Sequence, residues 1–250
     1  MIDPRPLWDF DDPATSGERF LEAAHSAPEP ERTCWLTQYV RALGLEAKYG
    51  EARMVLDGLR SDDPEASTYL ALERGRVLRS AGHPEEARPH FDRAAATAEA
   101  AGLEALHVDA LHMIALAAPV EDQLALNEAA LAVARAATDQ RARDWDASLL
   151  NNIAMTYADA GDHESALAVF EQALAARERI GDPETIRVAR WMIGWSLRNL
   201  GRRDEALEIQ RALKSELDSI GGSDEYVDEE LALLSARGDR AGEVADEAQD

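Results

Sequence analysis

The chain has 250 residues, 46% of them hydrophobic and 6% aromatic, with 49 acidic against 26 basic side chains and a net charge of −23. A field of that sign argues against nucleic acid or an anionic membrane as a broad partner. The single cysteine, Cys34, excludes an internal disulfide.

The first twelve residues, MIDPRPLWDFDD, lack the apolar core of a secretion signal, and no apolar run in the chain is long enough to span a bilayer. The expectation is a soluble, cytoplasmic protein. This opening segment reads as extended, with Leu7, Trp8 and Phe10 packing on the first helices. Asp12-Pro13 is a helix start, an N-cap followed by proline in the first turn. Ser16, Phe20 and Ala23 give that helix one apolar face, and Ala27-Pro28-Glu29-Pro30 ends it, so it runs near 13–26.

A helical pair is expected over 32–60, with Leu36, Tyr39, Val40 and Leu43 on its first helix and Ala52, Leu56 and Leu59 on its second. A second pair covers 64–101, carried by Gly75, Leu78, Gly82, Ala87, Phe91 and Ala94. A third, 103–137, is irregular. Pro119 falls where its first helix would continue, so that helix stops near Ala117 or Ala118, and Gln123, Asn127 and Ala130 align only after deletion of about one helical turn.

The fourth pair, 144–180, has the clearest pattern. Leu150, Ile153, Ala154 and Tyr157 make one apolar face; Gly161 suits a left-handed helix end and Asp162 the next N-cap. Ala166, Phe170 and Ala173 follow, two small residues flanking a ring, which lets two helices cross closely while the ring fills the gap. A fifth pair, 183–220, keeps Ile193, Gly194, Leu197, Gly201 and Ala206, but Arg190 and Gln210 stand where apolar residues recur elsewhere. A sixth, 224–248, keeps Val227, Leu231, Leu234 and Gly238 before an acidic end, as a capping repeat does.

These residues resemble the tetratricopeptide repeat, whose first helix carries large, small and Tyr positions and whose second carries Ala, Phe, Ala. The NNIAMTY run is similar to the tandem repeats of the kinesin light chain group. The resemblance implies an all-α fold, a right-handed α-α superhelix of about five to six repeats plus an N-terminal half-repeat, forming one domain over 1–250. Steps between equivalent residues (Val40, Gly75, Ala115, Ala154, Gly194, Leu231) mostly exceed the family's period of about 34 residues, which implies second helices longer by a turn or more. Gly221-Gly222-Ser223 reads as the most flexible joint, without a domain boundary there.

Such arrays bind partners on the groove lined by the first helix of each pair, helix A. The groove stripe lies beside the core stripe on that helix. Here it holds Arg41; Tyr69, Arg76 and Arg79; Asp109, His112 and Leu116; Asn151 and Met155, with Asn152 alongside; Trp191, Trp195 and Arg198; and Glu225 and Asp228. Asn152 matches an asparagine that, in kinesin-light-chain-like repeats, hydrogen-bonds a bound peptide backbone. The arginines either bind a carboxylate-bearing ligand or pair with acids of neighbouring helices. The tryptophans either anchor an apolar group or pack between repeats.

Enzymatic chemistry finds little support. There is no phosphate-binding glycine loop, no paired cysteines and no nucleophile motif. His107, Asp109 and His112 are the one cluster, but two histidines five apart do not share a helix face well. Cys34 reads as a buried packing residue, and Asp62-Asp63-Pro64 as a cap. The reading is a non-catalytic protein- or peptide-binding scaffold, monomeric or homodimeric, needing no cofactor and no metal. The alternatives are a peptide or small-ligand sensor acting through a separate effector, and an enzyme with a groove site near His107 and His112.

Overall fold

The computed structural model describes residues 2–236, and among these there is no strand. The chain divides into two compact units, Met1–Trp145 and Asp146–Asp250. The first holds α1 (Pro13–Ser26), α2 (Glu31–Leu45), α3 (Tyr49–Gly58), α4 (Pro64–Ser80), α5 (Pro84–Ala100), α6 (Glu104–Leu116), α7 (Val120–Ala136) and the short α8 (Gln140–Arg143). The second holds α9 (Asp146–Asp159), α10 (His163–Ile180), α11 (Pro183–Asn199), α12 (Arg203–Ser219) and α13 (Glu225–Ser235). No helix among the described residues is long and apolar enough to cross a membrane.

Several helices start where a side chain can satisfy their orphan N–H groups. Asp12 accepts from the Thr15 N–H, Asp63 from Ala66, Asp162 from Ser165 and Asp224 from Tyr226. Gly161 adopts φ +80°, as a left-handed helix end requires. Pro119 acts as expected: α6 stops at Leu116, and the proline precedes Val120, the first residue of α7. Gln123 is half-buried, while Asn127 and Ala130 are buried, so α7 presents the face that the shortened alignment requires.

The core is built from rings set against small residues. Phe91 of α5 is fully buried over Gly75 of α4, and Phe170 of α10 is buried in one cluster with Ala154 of α9. Each such ring contributes about 1.5–3 kcal/mol by leaving water. Cys34 is buried in the core of the first unit, where burial first and the nearby Glu65 and Asp63 second push its thiol up to about 12. It is no nucleophile at neutral pH.

Two details depart from the sequence reading. The opening segment is not extended throughout: Arg5–Leu7 form a 3-10 turn before Trp8 returns to extended backbone. Trp8 does pack as expected, stacked on Phe10 at 4.8 Å and edge-on to Phe20 at 4.9 Å. The second helices α5, α7, α10 and α12 have 17 to 18 residues, but α3 has 10, and the extra length between the third and fourth pairs lies partly in α8. Gly221-Gly222-Ser223 lies within the second compact unit, Asp146–Asp250. In the sixth pair, α13 carries Val227, Leu231 and Leu234, while Gly238 and the expected second helix lie outside the described residues.

Candidate functional site

In the first unit the helix-A stripe of α2, α4 and α6 gathers charge. The Arg76 guanidinium on α4 donates to Glu73, one turn back, and to Asp109 on α6. Glu73 is fully buried and Asp109 is 6% exposed. Burial pushes the Glu73 carboxyl up, and Arg76 and Arg41 only partly offset this. One Glu73 carboxylate oxygen, Oε2, has no hydrogen-bond partner among the described residues. Arg79 donates through Nε to the Leu116 carbonyl at 3.2 Å, closing the last turn of α6.

Arg41 on α2 differs. Its guanidinium lies 5.5 Å from the Trp8 ring centroid and 5.9 Å from that of Phe10, a cation–π contact on both rings. It makes no hydrogen bond among the described residues. Burial and the neighbouring Arg76 pull its pKa down, against Glu73 and Asp109. A guanidinium with five donors and no acceptor, in a desolvated setting, is an energetically incomplete group.

His112 packs against Trp145, ring centroids 5.2 Å apart. Burial drives its pKa down to about 4, opposed by Asp109 and reinforced by Arg76, Arg79 and Arg41, so it is neutral at pH 7. His107 does not join it: it lines a separate cleft with Glu99, Gly102 and Val133. The suggested His107–Asp109–His112 cluster is therefore not assembled, because five residues rotate the two rings to different faces.

Tyr69 is a correction. It is 6% exposed and lies in the core with Ile2 and Cys34 rather than on an open groove wall. The cause is the opening segment, which crosses this face. The Ile2 N–H donates to Glu65 at 2.7 Å, Arg141 donates to the Ile2 carbonyl at 3.3 Å, and Trp8 Nε1 donates to Gln38 at 3.3 Å. The chain thus covers part of its own helix-A stripe.

In the second unit, Asn151, Asn152 and Met155 are half-buried on α9, and Met155 packs against the same cluster as Trp195. Trp195 meets His163 edge-on at 5.5 Å. Trp191 packs against Leu213, Leu217 and Val227 and meets Tyr226 edge-on at 5.9 Å, with its Nε1–H buried and unpartnered among the described residues. Much of both rings is therefore committed to contacts between successive helices, while each stays partly exposed. Arg198 is not free for a ligand carboxylate: Nε and Nη2 donate to the buried Glu230 of α13 at 2.7 and 2.8 Å. Asp228 is paired to Lys214 at 2.9 Å, and Glu225 is exposed in the first turn of α13.

Residues that sequence reasoning missed are the buried acceptors: Glu73, Glu230 and Gln38. A weak signal existed for the first. Glu73 follows Tyr69 by four and precedes Val77 by four, so it sits on a helix stripe otherwise apolar.

This arrangement of paired helices is that of a repeat scaffold. Residues 145–213 match the family model of the tetratricopeptide repeat. No curated protein sequence matches the chain significantly. Among solved structures, the chain is similar to the nearly identical kinesin light chain TPR-like repeats of Podosopora anserina, at 18% identity and TM-score 0.56, over 76% of this chain and 96% of that one. It is also similar to the apo form of RapI, at 11% identity and TM-score 0.65, over 95% and 72%. A third is NprR in complex with its cognate peptide NprX, at 17% identity and TM-score 0.55, over 90% and 69%. At these identities the likeness establishes the fold.

Proposed function

We propose that the protein is a non-catalytic, peptide- or protein-binding scaffold of the cytoplasm whose docking face in the first unit is the helix-A stripe around Arg41, Arg76 and Arg79. The observation that carries this reading is Arg41, held in place by two aromatic rings while its donors lack acceptors among the described residues. A carboxylate of a partner would complete it through a bidentate fork, which is the strong form of that interaction. Arg79 beside it adds a second guanidinium, bound by Nε to the Leu116 carbonyl, while Arg76 is already paired with Glu73 and Asp109. In the second unit, taken by itself, the half-exposed parts of Trp191 and Trp195, with Asn151, Asn152 and Met155, offer apolar and amide contacts for a peptide.

A second reading, a peptide sensor acting through a separate effector, draws support from NprR, whose fold is similar and which is in complex with its cognate peptide. Both readings predict peptide binding and are tested together. A random peptide display library is selected on the full chain. The selected peptides should carry a terminal or side-chain carboxylate, and Arg41→Ala should weaken the best of them by on the order of tenfold or more without lowering the melting temperature. Selection of neutral peptides, or equal binding by Arg41→Ala, would sink the proposal.

A further inference from the structure

The first unit contains a second concentration of positive charge, away from the Arg41 cluster. It is a cleft of about 280 Å³ lined by the connection after α3 and by α4 and α5. Its polar lining is Arg60, Ser61, Ser67, Arg74, His90 and Arg93, with no aspartate or glutamate. In a chain where acids outnumber bases 49 to 26, three guanidinium groups around one cleft without a carboxylate are not a composition effect.

The cleft has a structural cause. The other second helices among the described residues, α5, α7, α10 and α12, have 17 or 18 residues, but α3 stops after 10, at Gly58. Leu59 turns to extended backbone, and Leu59, Arg60 and Ser61 line the cleft together with α4 and α5 residues. On α4 the lining residues Ser67, Leu70, Ala71 and Arg74 recur at three- and four-residue spacing, so one continuous stripe faces it.

The arginines are placed by the protein, but Arg60 and Arg93 meet no carboxylate among the described residues and Arg74 meets only an exposed one. Arg60 donates through Nη1 to the carbonyls of Asp57 and Leu59, at 3.0 and 2.6 Å, which fixes the side chain and leaves Nε and Nη2 without partners among the described residues. Arg74 donates through Nη2 to the Leu56 carbonyl at 2.6 Å. Its nearest carboxylate, Asp57, is 3.5 Å away with a side chain 74% exposed, a weak and solvent-screened pair. Arg93 makes no side-chain hydrogen bond among the described residues. His90 registers the imbalance: burial first, then Arg74 and Arg93, hold its pKa below the ordinary value.

We propose that this cleft is an anion site for a phosphoryl group, with Arg60, Arg74 and Arg93 as its charged donors and Ser61, Ser67 and His90 as its neutral ones. The chemistry is that of a tetrahedral, multiply charged oxyanion. Such a group accepts from several guanidinium forks at once, whereas a single carboxylate would satisfy one. The size is consistent: about 280 Å³ lies just below the usual range of drug-sized ligand sites, room for a phosphate or pyrophosphate, or the end of a phosphorylated side chain, rather than a whole dinucleotide.

The test uses the full chain in calorimetric titrations at physiological ionic strength, where diffuse charge attraction is screened. Three probes are used: inorganic phosphate, pyrophosphate, and a short phosphoserine peptide with its unphosphorylated form. Saturable one-site binding of a phosphorylated probe is expected, absent for the unphosphorylated peptide. Preference for pyrophosphate assigns the site to a free phosphorylated metabolite; preference for the phosphopeptide assigns it to a modified partner protein. The double variant Arg60→Ser/Arg93→Ser alters two exposed side chains outside the core. It should weaken binding by on the order of tenfold or more with an unchanged melting temperature. Arg41→Ala should leave phosphate binding intact, which separates this site from the peptide face. In NMR titrations the bound anion should also raise the His90 pKa, since it places negative charge where Arg74 and Arg93 now hold that pKa down, with Arg53 and Asp57 lining the adjoining cleft. Lack of saturable binding by all phosphorylated probes, or equal binding by the double variant, overturns the proposal.

Discussion

In the second repeat Gly75 of α4 faces Phe91 of α5; in the fifth, Gly194 of α11 faces Gln210 of α12. The glycine is the same and the occupant differs. A methyl group on Gly75 would lie 2.3 Å from the Phe91 ring, and one on Gly194 would lie 2.7 Å from the Gln210 side-chain nitrogen. Close approach of the two helices, not the identity of the filler, therefore demands glycine. The filler sets the energy. Phe91 is a fully buried ring, whereas Gln210 is fully buried with neither side-chain amide atom hydrogen-bonded among the described residues. The two repeats also share a device: each sends an arginine from helix A to a buried acid on the next helix A, Arg76 to Asp109 and Arg198 to Glu230.

That shared device gives the largest expected effect. Arg76→Met leaves two buried carboxylates, Glu73 and Asp109, without their cation, and should cost about 4 kcal/mol in urea denaturation at pH 7. Arg198→Met strands only Glu230 and should cost about 3 kcal/mol. Equal or negligible losses would show that the cost is not graded by the number of buried carboxylates each arginine serves. The glycines come next. Gly75→Ala must displace an aromatic ring, so about 2–3 kcal/mol of overpacking outweighs the gain of about 1 kcal/mol in helix propensity. Gly194→Ala meets the far end of a flexible side chain and should stay within about 1 kcal/mol of the parent. A larger loss at Gly194 than at Gly75 would reverse the comparison.

What the sequence made legible follows from the range of each interaction. Caps and stops are local, so Asp12, Asp63, Gly161, Asp162 and Pro119 could be placed from neighbours a few residues away. Helix faces are local too, and the Gly75–Phe91 pairing follows from two adjacent helices. The candidate site depends on what arrives from far along the chain. Tyr69 sits on the expected face of α4, yet Ile2, 67 positions earlier, covers it. Arg198 occupies the expected stripe, yet Glu230, 32 positions later, takes two of its donors. A periodic pattern states which way a side chain points and is silent on whether a partner is already there. The truncation of α3 belongs to the same class, since ending a helix at Gly58 is local but the cleft it leaves is not.

The pH response of the first unit sharpens the comparison further, because the fifth repeat has no counterpart to His112 on its helix-A stripe. Burial lowers the His112 pKa from the ordinary 6.5 to about 4, so between these values the unfolded chain binds the proton and the folded one does not. Stability from this group is fully present above pH 6.5 and is lost as pH falls toward 4. The full effect is on the order of 2 kcal/mol after allowance for partial exposure. Glu73 shifts in the opposite sense, its raised pKa favouring the folded state as acid protonates it. The measurement is therefore the difference between the parent and His112→Gln across pH 4 to 7. The parent should lose more stability on acidification. Parallel curves would show that the ring is solvated in the folded state.

The smallest effect is the most direct test of the filler argument. Gln210→Phe places in the fifth repeat the pair already present in the second, a ring over a glycine. Two unsatisfied amide atoms leave the core, which removes a desolvation penalty of about 1–3 kcal/mol. An apolar ring adds burial of similar size. Imperfect fit takes part of it back, because Ile209 crowds the same space, its Cγ2 lying 3.3 Å from where a methyl on Gly194 would sit. The net gain should be about 1 kcal/mol, read as a higher urea midpoint with an unchanged slope. Adding Gly194→Ala to Gln210→Phe should then cost as much as Gly75→Ala does, because the added methyl now meets a ring. If Gln210→Phe lowers the midpoint instead, the space beside Gly194 is shaped for the amide, and the polar filler is part of the fifth repeat's design rather than a defect in it.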